Sequence, residues 1–451
     1  MLRLWSFLVF LLNLLPFITA KSSSGDSVLV ILDPAKRADY SIFFGGLEAR
    51  GYELTFRSPK DEAPLLIEDD LPKFAHVVFF ATDTKNFAKD ITPQALVQLL
   101  SGNTNLLIAL SPKQNLITSL APEFSLILPP PNTPLISHFP ERSEPANVIP
   151  ISTPKPSPET PSILTPSTSP VWFSGIPFAL GQNPLLFPIL NAPAESFAAD
   201  ADATVDVLAD AAEKGGEGLW AGSQLAVAAG FQALGGARAV WVGGIEMFSD
   251  EFAKKENEKG VKSGNQQFAQ DVAAWAFQES LVLRIDSTSH RRVNGSTPEQ
   301  YTINDQIEYT VSVSKYNPKF SIWEPYWGLT DMQLEFTMLD PHVRIAIPRA
   351  ESQHGKRERG VYRVQFRAPD RHGVFKFVLD YKRKGWTHLH NTITVPVVPP
   401  RHDGYPRFLS AAWPYYAGAI STSVGFFLFA AGWLAGDVSN KDAKKKGGKA
   451  E

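Results

Sequence analysis

Few side chains in this chain of 451 residues have the type and spacing to do chemistry. Cysteine is absent, which removes every thiol nucleophile and thiolate metal site and leaves core packing to hold the fold without disulfides. The best-placed hydroxyl is Ser111, just after the apolar run Leu106–Leu110. A nucleophile there would use the backbone N–H of the next residue to hold an oxyanion, and Pro112 has none. Ser111 reads instead as a helix N-cap ahead of a proline. His388 and His390 are two apart, so on a strand they share a face and could hold a metal. No acidic partner lies near them in sequence, and they read as surface histidines. The stretch Gly243–Asp250 (GGIEMFSD) follows an apolar strand and opens a helical segment, which is where open α/β sheets bind ligands. A tight turn with a helix cap accounts for the same residues. Asn294-Gly295-Ser296 is an N-glycosylation sequon in a polar turn. G-x-G-x-x-G, P-loop, H-E-x-x-H and G-x-S-x-G patterns do not occur. The inventory implies no catalytic residue, no metal and no cofactor.

The elements that position these residues alternate along the first half. Val28–Leu32 reads as a buried strand, followed by a helix from Tyr40 to Arg50 closed by Gly51. Tyr52–Phe56, Ala75–Ala81 and Leu106–Leu110 are further strands, with a helix over Thr92–Leu100. Continuous apolar strands separated by helices predict a parallel sheet covered on both faces, a doubly wound α/β fold. Leu225–Ala229 and Ala239–Val242 continue the strands, and Asn265–Glu279 reads as a helix with Phe268, Val272, Trp275 and Ala276 on one face. Leu281–Ile285 reads as the last strand of this domain. Between the two stretches, residues 129–170 hold thirteen of the chain's 36 prolines. That composition predicts an extended surface excursion interrupting one domain, with Pro140–Pro170 dispensable for folding.

After Asp286 the apolar period becomes two. Ile307, Tyr309, Val311 and Val313 alternate with polar residues, as do Met332, Leu334, Phe336 and Met338. Val343–Ile347, Tyr362–Phe366 and Phe375–Leu379 continue the habit. Several short alternating strands predict an antiparallel β-sandwich.

The two ends set the compartment. Arg3, the apolar run Leu4–Leu15, Pro16 and the small residues before Lys21 form a signal-peptide layout with cleavage near Ala20. From Leu409 to Ala435 no side chain is charged. Tyr415–Gly436 would span roughly 33 Å as a helix, enough to cross the hydrocarbon core. Trp413, Tyr415, Tyr416 and Trp433 sit where interfacial aromatics belong, and Lys441, Lys444, Lys445, Lys446 and Lys449 follow, as on a cytosolic flank. Gly418, Ser421, Thr422, Gly425, Gly432 and Gly436 recur on one side of that helix and predict a face for packing against other membrane helices. The expected layout is therefore a signal peptide (1–20), an α/β domain (21–285) carrying the insert (129–170), a β-sandwich (286–404), a membrane region (405–436) and a cytosolic tail (437–451). A net charge of −3 carries no nucleic-acid footprint.

Several long strings resemble one family. They are GGIEMFSDEF, SGNQQFAQDVAAWAF (Ser263–Phe277), LRIDSTSHRRVNG followed by YTINDQIEYT, MLDPHVRIAIP, FRAPDRHGVFKFVLDYKRKGW (Phe366–Trp386) and YPRFLSAAWPYYAG. The chain is similar to the DDOST family, the single-span accessory subunit of the eukaryotic oligosaccharyltransferase, over nearly its whole length after the signal peptide. The proline-rich insert departs from the family pattern. So does the tail, where Lys449 stands without a close lysine partner before Ala450-Glu451, as a di-lysine retrieval signal would require. The resemblance implies an amidotransferase-like, non-catalytic α/β domain in the lumen of the endoplasmic reticulum. It implies other oligosaccharyltransferase subunits as partners, including the catalytic polytopic one, with membrane lipid around the single span. It also implies an indirect contact with the lipid-linked oligosaccharide donor. The implied role is assembly of the complex that transfers oligosaccharide from dolichyl diphosphate to Asn in Asn-X-Ser/Thr. The alternatives are a free-standing lumenal carbohydrate-binding receptor and an α/β hydrolase with an unrecognised site.

Overall fold

The computed structural model describes residues 21–113, 115–154, 162–199, 220–256, 260–340, 342–351, 357–404 and 408–446. The signal-peptide stretch and Lys449 lie outside the described residues. Seven strands build the first sheet: β1 (Ser27–Ile31), β2 (Glu53–Arg57), β3 (His76–Phe79), β4 (Asn105–Ala109), β5 (Leu186–Asn191), β6 (Ala226–Gln232) and β7 (Arg238–Val242). Their order is β5-β6-β7-β4-β3-β1-β2. Each fully buried strand splits its side chains between two cores. Val28 and Val30 of β1 enter one, while Leu29 and Ile31 enter the other. Helices α1 (Ser41–Glu48) and α3 (Asn265–Ala276) cover the first face with Phe43, Phe44, Phe268 and Trp275. Helix α2 (Pro93–Ser101) covers the second with Leu96, Leu99 and Leu100. Thr92 caps α2, accepting from the Ala95 N–H at 3.1 Å, with Pro93 in the first turn where a missing N–H costs nothing.

The sheet is mixed, which corrects the all-parallel expectation. β2, β1, β3, β4 and β7 run parallel, but β6 is antiparallel to β7, and β5 is antiparallel to β6. The reason is the short link Ala233–Ala237. Parallel neighbours need a crossover of a dozen residues or more, whereas here Gly236 at φ 105° closes a tight turn and Ala233 N–H donates to Ala237 O at 2.8 Å. The strand predicted over Leu281–Ile285 also belongs elsewhere: β8 (Leu283–Arg292) pairs in the second part of the molecule.

The proline-rich segment is not a pure surface excursion. Leu135, Ile149, Ile151 and Leu164 are each at most 3% exposed and pack into the core under α1 and α3. Ile149–Ile151 pairs antiparallel with Val171–Phe173, and Leu135–Ile136 with Phe197–Ala198. Arg142 ties the segment together by donating to the carbonyls of Ser137 (2.6 Å), Ala146 (3.1 Å) and Val148 (2.9 Å). Prolines exclude long regular elements, but isolated Ile and Leu between them still bury wherever two-residue ladders suffice.

The second part pairs β8, β10 (Gln306–Asn317), β11 (Ile322–Pro325), β14 (Arg349–Glu351) and β15 (Arg357–Arg367) in one sheet. The other sheet holds β9 (Tyr301–Thr302), β12 (Gln333–Thr337), β13 (His342–Ala346), β16 (Gly373–Tyr381) and β17 (Leu389–Val398). Both contribute to one core, in which Ile307, Tyr309, Val311 and Val313 of β10 meet Phe336, Phe375 and Phe377. The Phe336 and Phe375 rings stack at 4.7 Å. The period-two pattern thus places its apolar face inward. One ladder departs from the antiparallel expectation: β9 runs parallel to β17, with Tyr301 opposite Val397.

Helix α4 (Trp413–Lys446) closes the described chain. Pro414 lies in its first turn, so the proline starts the helix and does not kink it. Ser410–Gly436 is long and apolar enough to cross a membrane, and its apolar window is left unburied by the described residues; Phe408, just before it, stacks on Tyr416 at 4.5 Å.

Candidate functional site

The glycine turn after β7 sits at the carboxyl ends of the parallel strands, but protein fills the space. A Cβ on Gly243 would fall 2.0 Å from Ile176 O, and one on Gly244 would fall 1.9 Å from Ser174 O. Ile176 N–H donates to Gly243 O at 2.8 Å. The two glycines therefore admit the backbone of 174–176, not a ligand. The residues that follow are engaged in the same way. Phe248 packs 5.0 Å from both Phe43 and Phe80. Ser249 caps its own short helix by accepting from Phe252 N–H at 3.2 Å. Asp250 caps α1, accepting from Ile42 N–H at 2.9 Å and from the Ser41 hydroxyl; α1 has no cap of its own. Asn265 is fully buried, accepting from Trp172 N–H and donating to Trp172 O and Met247 O. The structure thus supports the turn-and-cap reading of this motif.

Ser111 is buried, and its Oγ accepts from Lys113 N–H at 3.2 Å in a turn. It does not cap a helix, which corrects that expectation. The next helix begins at Leu116 and is capped by Asn115 in a reciprocal pair with Thr118. His388 and His390 flank buried Leu389. His390 is exposed and hydrogen-bonds Thr392, whereas His388 is half-buried at an internal cleft. Among the described residues no group of three or more His, Cys, Asp or Glu is placed to hold a metal. Asn294 is exposed at φ 60° in the turn after β8. On α4, Ser421 and Thr422 both donate to Gly418 O, at 2.9 and 2.8 Å. No atom lies within 4 Å of a Cβ built on Gly418, Gly425, Gly432 or Gly436.

Two features that residue types and spacing do not reveal lie at the other end of the sheet. The first is a buried polar network. His76 is fully buried. Its Nε2 donates to Gly25 O at 3.1 Å, and its Nδ1 accepts from the Asn105 amide at 3.1 Å. Burial pushes its pKa down to about 4. Asn105 Oδ1 accepts from Arg238 N–H at 2.9 Å and from Gln278 at 2.9 Å. Arg238 is fully buried, and the hydrogen-bond partners of its guanidinium among the described residues are all neutral. It donates to Gln232 Oε1, to the carbonyls of Trp275, Ser280 and Leu281, and to Thr387 Oγ1, and its guanidinium lies 4.7 Å from the Trp275 ring centroid. Burial lowers its pKa to about 9, which leaves it charged at neutrality. Trp275 O lies in the last turn of helix α3, where the macrodipole favours a cation, and Ser280 and Leu281 follow in the link beyond it. The Thr387 bond reaches into the second part of the molecule. Trp275 Nε1–H donating to Gly385 O at 2.8 Å and Thr387 N–H donating to Leu281 O at 3.2 Å secure the same junction. An arginine opening an otherwise apolar strand (RAVWV) was the signal in the sequence.

The second feature is the cleft beside that junction, with a volume of about 1000 Å³. The α/β part supplies Phe187 and Gln232, and the β part supplies Tyr326, Asp331, Tyr381, Arg383, Trp386 and His388. Tyr326 and Trp386 lie 5.5 Å apart, and Lys315 Nζ stands 5.4 Å from each ring. Burial lowers the pKa of Lys315. Asp331 pairs with Arg383 and Asp380 with Lys382. His388 Nδ1 has no hydrogen-bond partner among the described residues. Burial, and then the charge of Lys382, lower the pKa of His388. A second cavity, of about 890 Å³, is walled by Pro140, Pro150, Pro170, Pro188 and Trp172.

Profiles of two domains of one family match this chain: "OST48, N-terminal domain" over residues 19–279 and "OST48 middle domain" over residues 289–437. A Danio rerio protein named dolichyl-diphosphooligosaccharide–protein glycosyltransferase 48 kDa subunit is 31% identical over 443 residues, covering 94% of this chain and 95% of that protein. The subunit of the same name from Drosophila melanogaster is 30% identical over 423 residues, covering 89% and 90%. That from Caenorhabditis elegans is 29% identical over 443 residues, covering 95% and 94%. The solved carbohydrate deacetylase Agd3 superposes with a TM-score of 0.33 at 13% identity over 62% of this chain and 35% of that one, a likeness too slight to carry fold or function across.

Proposed function

This chain belongs to the OST48 family, and on that premise we propose that it works as a non-catalytic subunit of an oligosaccharyltransferase. That complex moves a preassembled oligosaccharide from dolichyl diphosphate to Asn in Asn-X-Ser/Thr of nascent chains. The observation that carries the reading is the pair of family matches, which run over residues 19–279 and 289–437. The site geometry agrees with it: the GGIEMFSD residues cap helices and admit a backbone segment. The α/β part is read as an amidotransferase-like scaffold turned to assembly, with Pro112 beside Ser111 removing one oxyanion donor from the nucleophile position. The two-sheet part is read as a sandwich beside the membrane.

The chain is a single-pass protein of the endoplasmic reticulum membrane. Its bulk faces the lumen and its lysine-rich tail the cytosol, as the signal peptide and the lysines after Asp437 support. Its partners are other oligosaccharyltransferase subunits, the catalytic polytopic one among them, and its own contact with the donor is indirect. Asn294 carries a glycan, a role favoured by its exposed turn. Gly418, Ser421, Thr422, Gly425, Gly432 and Gly436 fall within about 100° of arc at 3.6 residues per turn, and this face meets partner helices. Lipid offers no hydrophobic drive, so close backbone approach supplies the association. Phe429 shares the arc, so a partner helix must step around its ring.

Depletion of the chain tests the role. Sequon occupancy on many glycoproteins should fall while full-length lipid-linked donor persists. Accumulation of truncated donor would place the chain in donor assembly instead and contradict the reading.

A further inference from the structure

We propose that the cleft between the two parts of the body binds a neutral oligosaccharide of two or three hexose units. Ligand sites favour such junctions, and about 1000 Å³ stands at the upper end of what a small-molecule site occupies. The lining combines flat apolar faces with polar groups able to bond hydroxyls. Trp386 and Tyr326 are half-buried, so each ring keeps an exposed portion fixed in place. An aromatic face matches the C–H face of a pyranose ring. Asp331 is exposed and oriented by Arg383, a carboxylate–guanidinium pair that offers acceptors and donors side by side to vicinal hydroxyls. Exposed Thr330 and Lys384 also line the cleft and add a hydroxyl and an ammonium donor.

Charge favours a neutral ligand over an anion. Arg383 is balanced by Asp331 and Lys382 by Asp380, at 2.8 Å in the second pair. Lys315 is covered by the two rings. Among the described residues Lys315 and Lys384 have no ion-pair partner; with Lys315 held against the rings, Lys384 is left, too little to hold a phosphate against water. The choice of sugar probes rests on the subunit reading above. The cleft itself does not, and its test uses this chain alone, so failure of either leaves the other standing.

The test is saturation-transfer NMR and titration calorimetry on the full chain in mild detergent. The probes are mannotriose, maltotriose and chitotriose, with inorganic phosphate as the competing chemistry. At least one trisaccharide should bind, and phosphate should neither bind nor compete with it. Asp331→Asn changes an exposed residue and should weaken that binding by about tenfold with an unchanged melting temperature. Trp386→Ala should abolish the saturation transfer, and a melting scan separates that loss from unfolding. No trisaccharide binding at millimolar concentration would overturn the proposal. So would binding that Asp331→Asn leaves intact, or phosphate binding that the sugars cannot displace.

Discussion

Replacing Arg238 by methionine should destabilise the molecule by about 3 kcal/mol, the sum of a few contributions in the structure. The side chain donates to five oxygens in a site with no solvent exposure. Two of the carbonyls keep another donor, since Gln278 N–H reaches Trp275 O and Thr387 N–H reaches Leu281 O. Ser280 O has no other donor among the described residues, and an orphaned buried acceptor costs about 2 kcal/mol. Losing a desolvated cation over Trp275 adds about 1 kcal/mol. Methionine fills similar space and avoids burying a charge, which limits the loss. Arg238→Lys keeps the charge but has only three donors and no planar fork, and should cost about 2 kcal/mol. The assay is equilibrium urea unfolding of the full chain in mild detergent. It is followed by tryptophan fluorescence, because Trp275 lies 4.7 Å from the guanidinium. A methionine variant within about 0.5 kcal/mol of the parent would refute the reasoning, since total stability is only about 5–15 kcal/mol.

Three further outcomes follow from the same contacts. The folded His76 has a pKa of about 4 against 6.5 unfolded, so the unfolded chain binds the extra proton between those values; stability is complete above pH 6.5 and falls by about 3 kcal/mol as pH drops to 4. A His76→Gln variant should lose that share of the pH dependence in the same urea assay, and an unchanged profile would contradict the assignment. Replacing Pro140–Pro170 by a Gly/Ser linker should abolish accumulation of folded protein, since burial of Ile149, Ile151 and Leu164 is worth about 1.5–3 kcal/mol each; expression and complex assembly at parental yield would show that these side chains are not needed. Leucine at Gly425 and Gly432 together should reduce co-purification with partner subunits while Asn294 still acquires its endoglycosidase-sensitive mass, and parental yield would move the assembly surface elsewhere.

What the sequence made legible follows the reach of each signal. The strands of the parallel core and the alternation in β10 were readable because burial imposes a period on neighbouring residues. The closure at Gly51 was readable because backbone chemistry is local. The reversal of β6 was not read because an apolar run looks the same in either direction; only the link Ala233–Ala237 decides it. The insert misled because proline content reports what a segment cannot form and says nothing of where three separated aliphatic residues will land. Ser111 missed its cap role because the next helix starts later, at Leu116. Arg238, Trp386 and Asp331 are far apart in the chain, and no spacing joins them until the two parts pack together.

The central claim is that this chain is a working part of an oligosaccharyltransferase. Gentle detergent purification through an affinity tag on the full chain, with identification of everything that accompanies it, tests this most directly. The account predicts a polytopic glycosyltransferase among the partners at near-stoichiometric yield, with transfer activity onto an Asn-X-Ser/Thr peptide in the eluate. A chain that purifies alone, or with partners that carry no such activity, would contradict it.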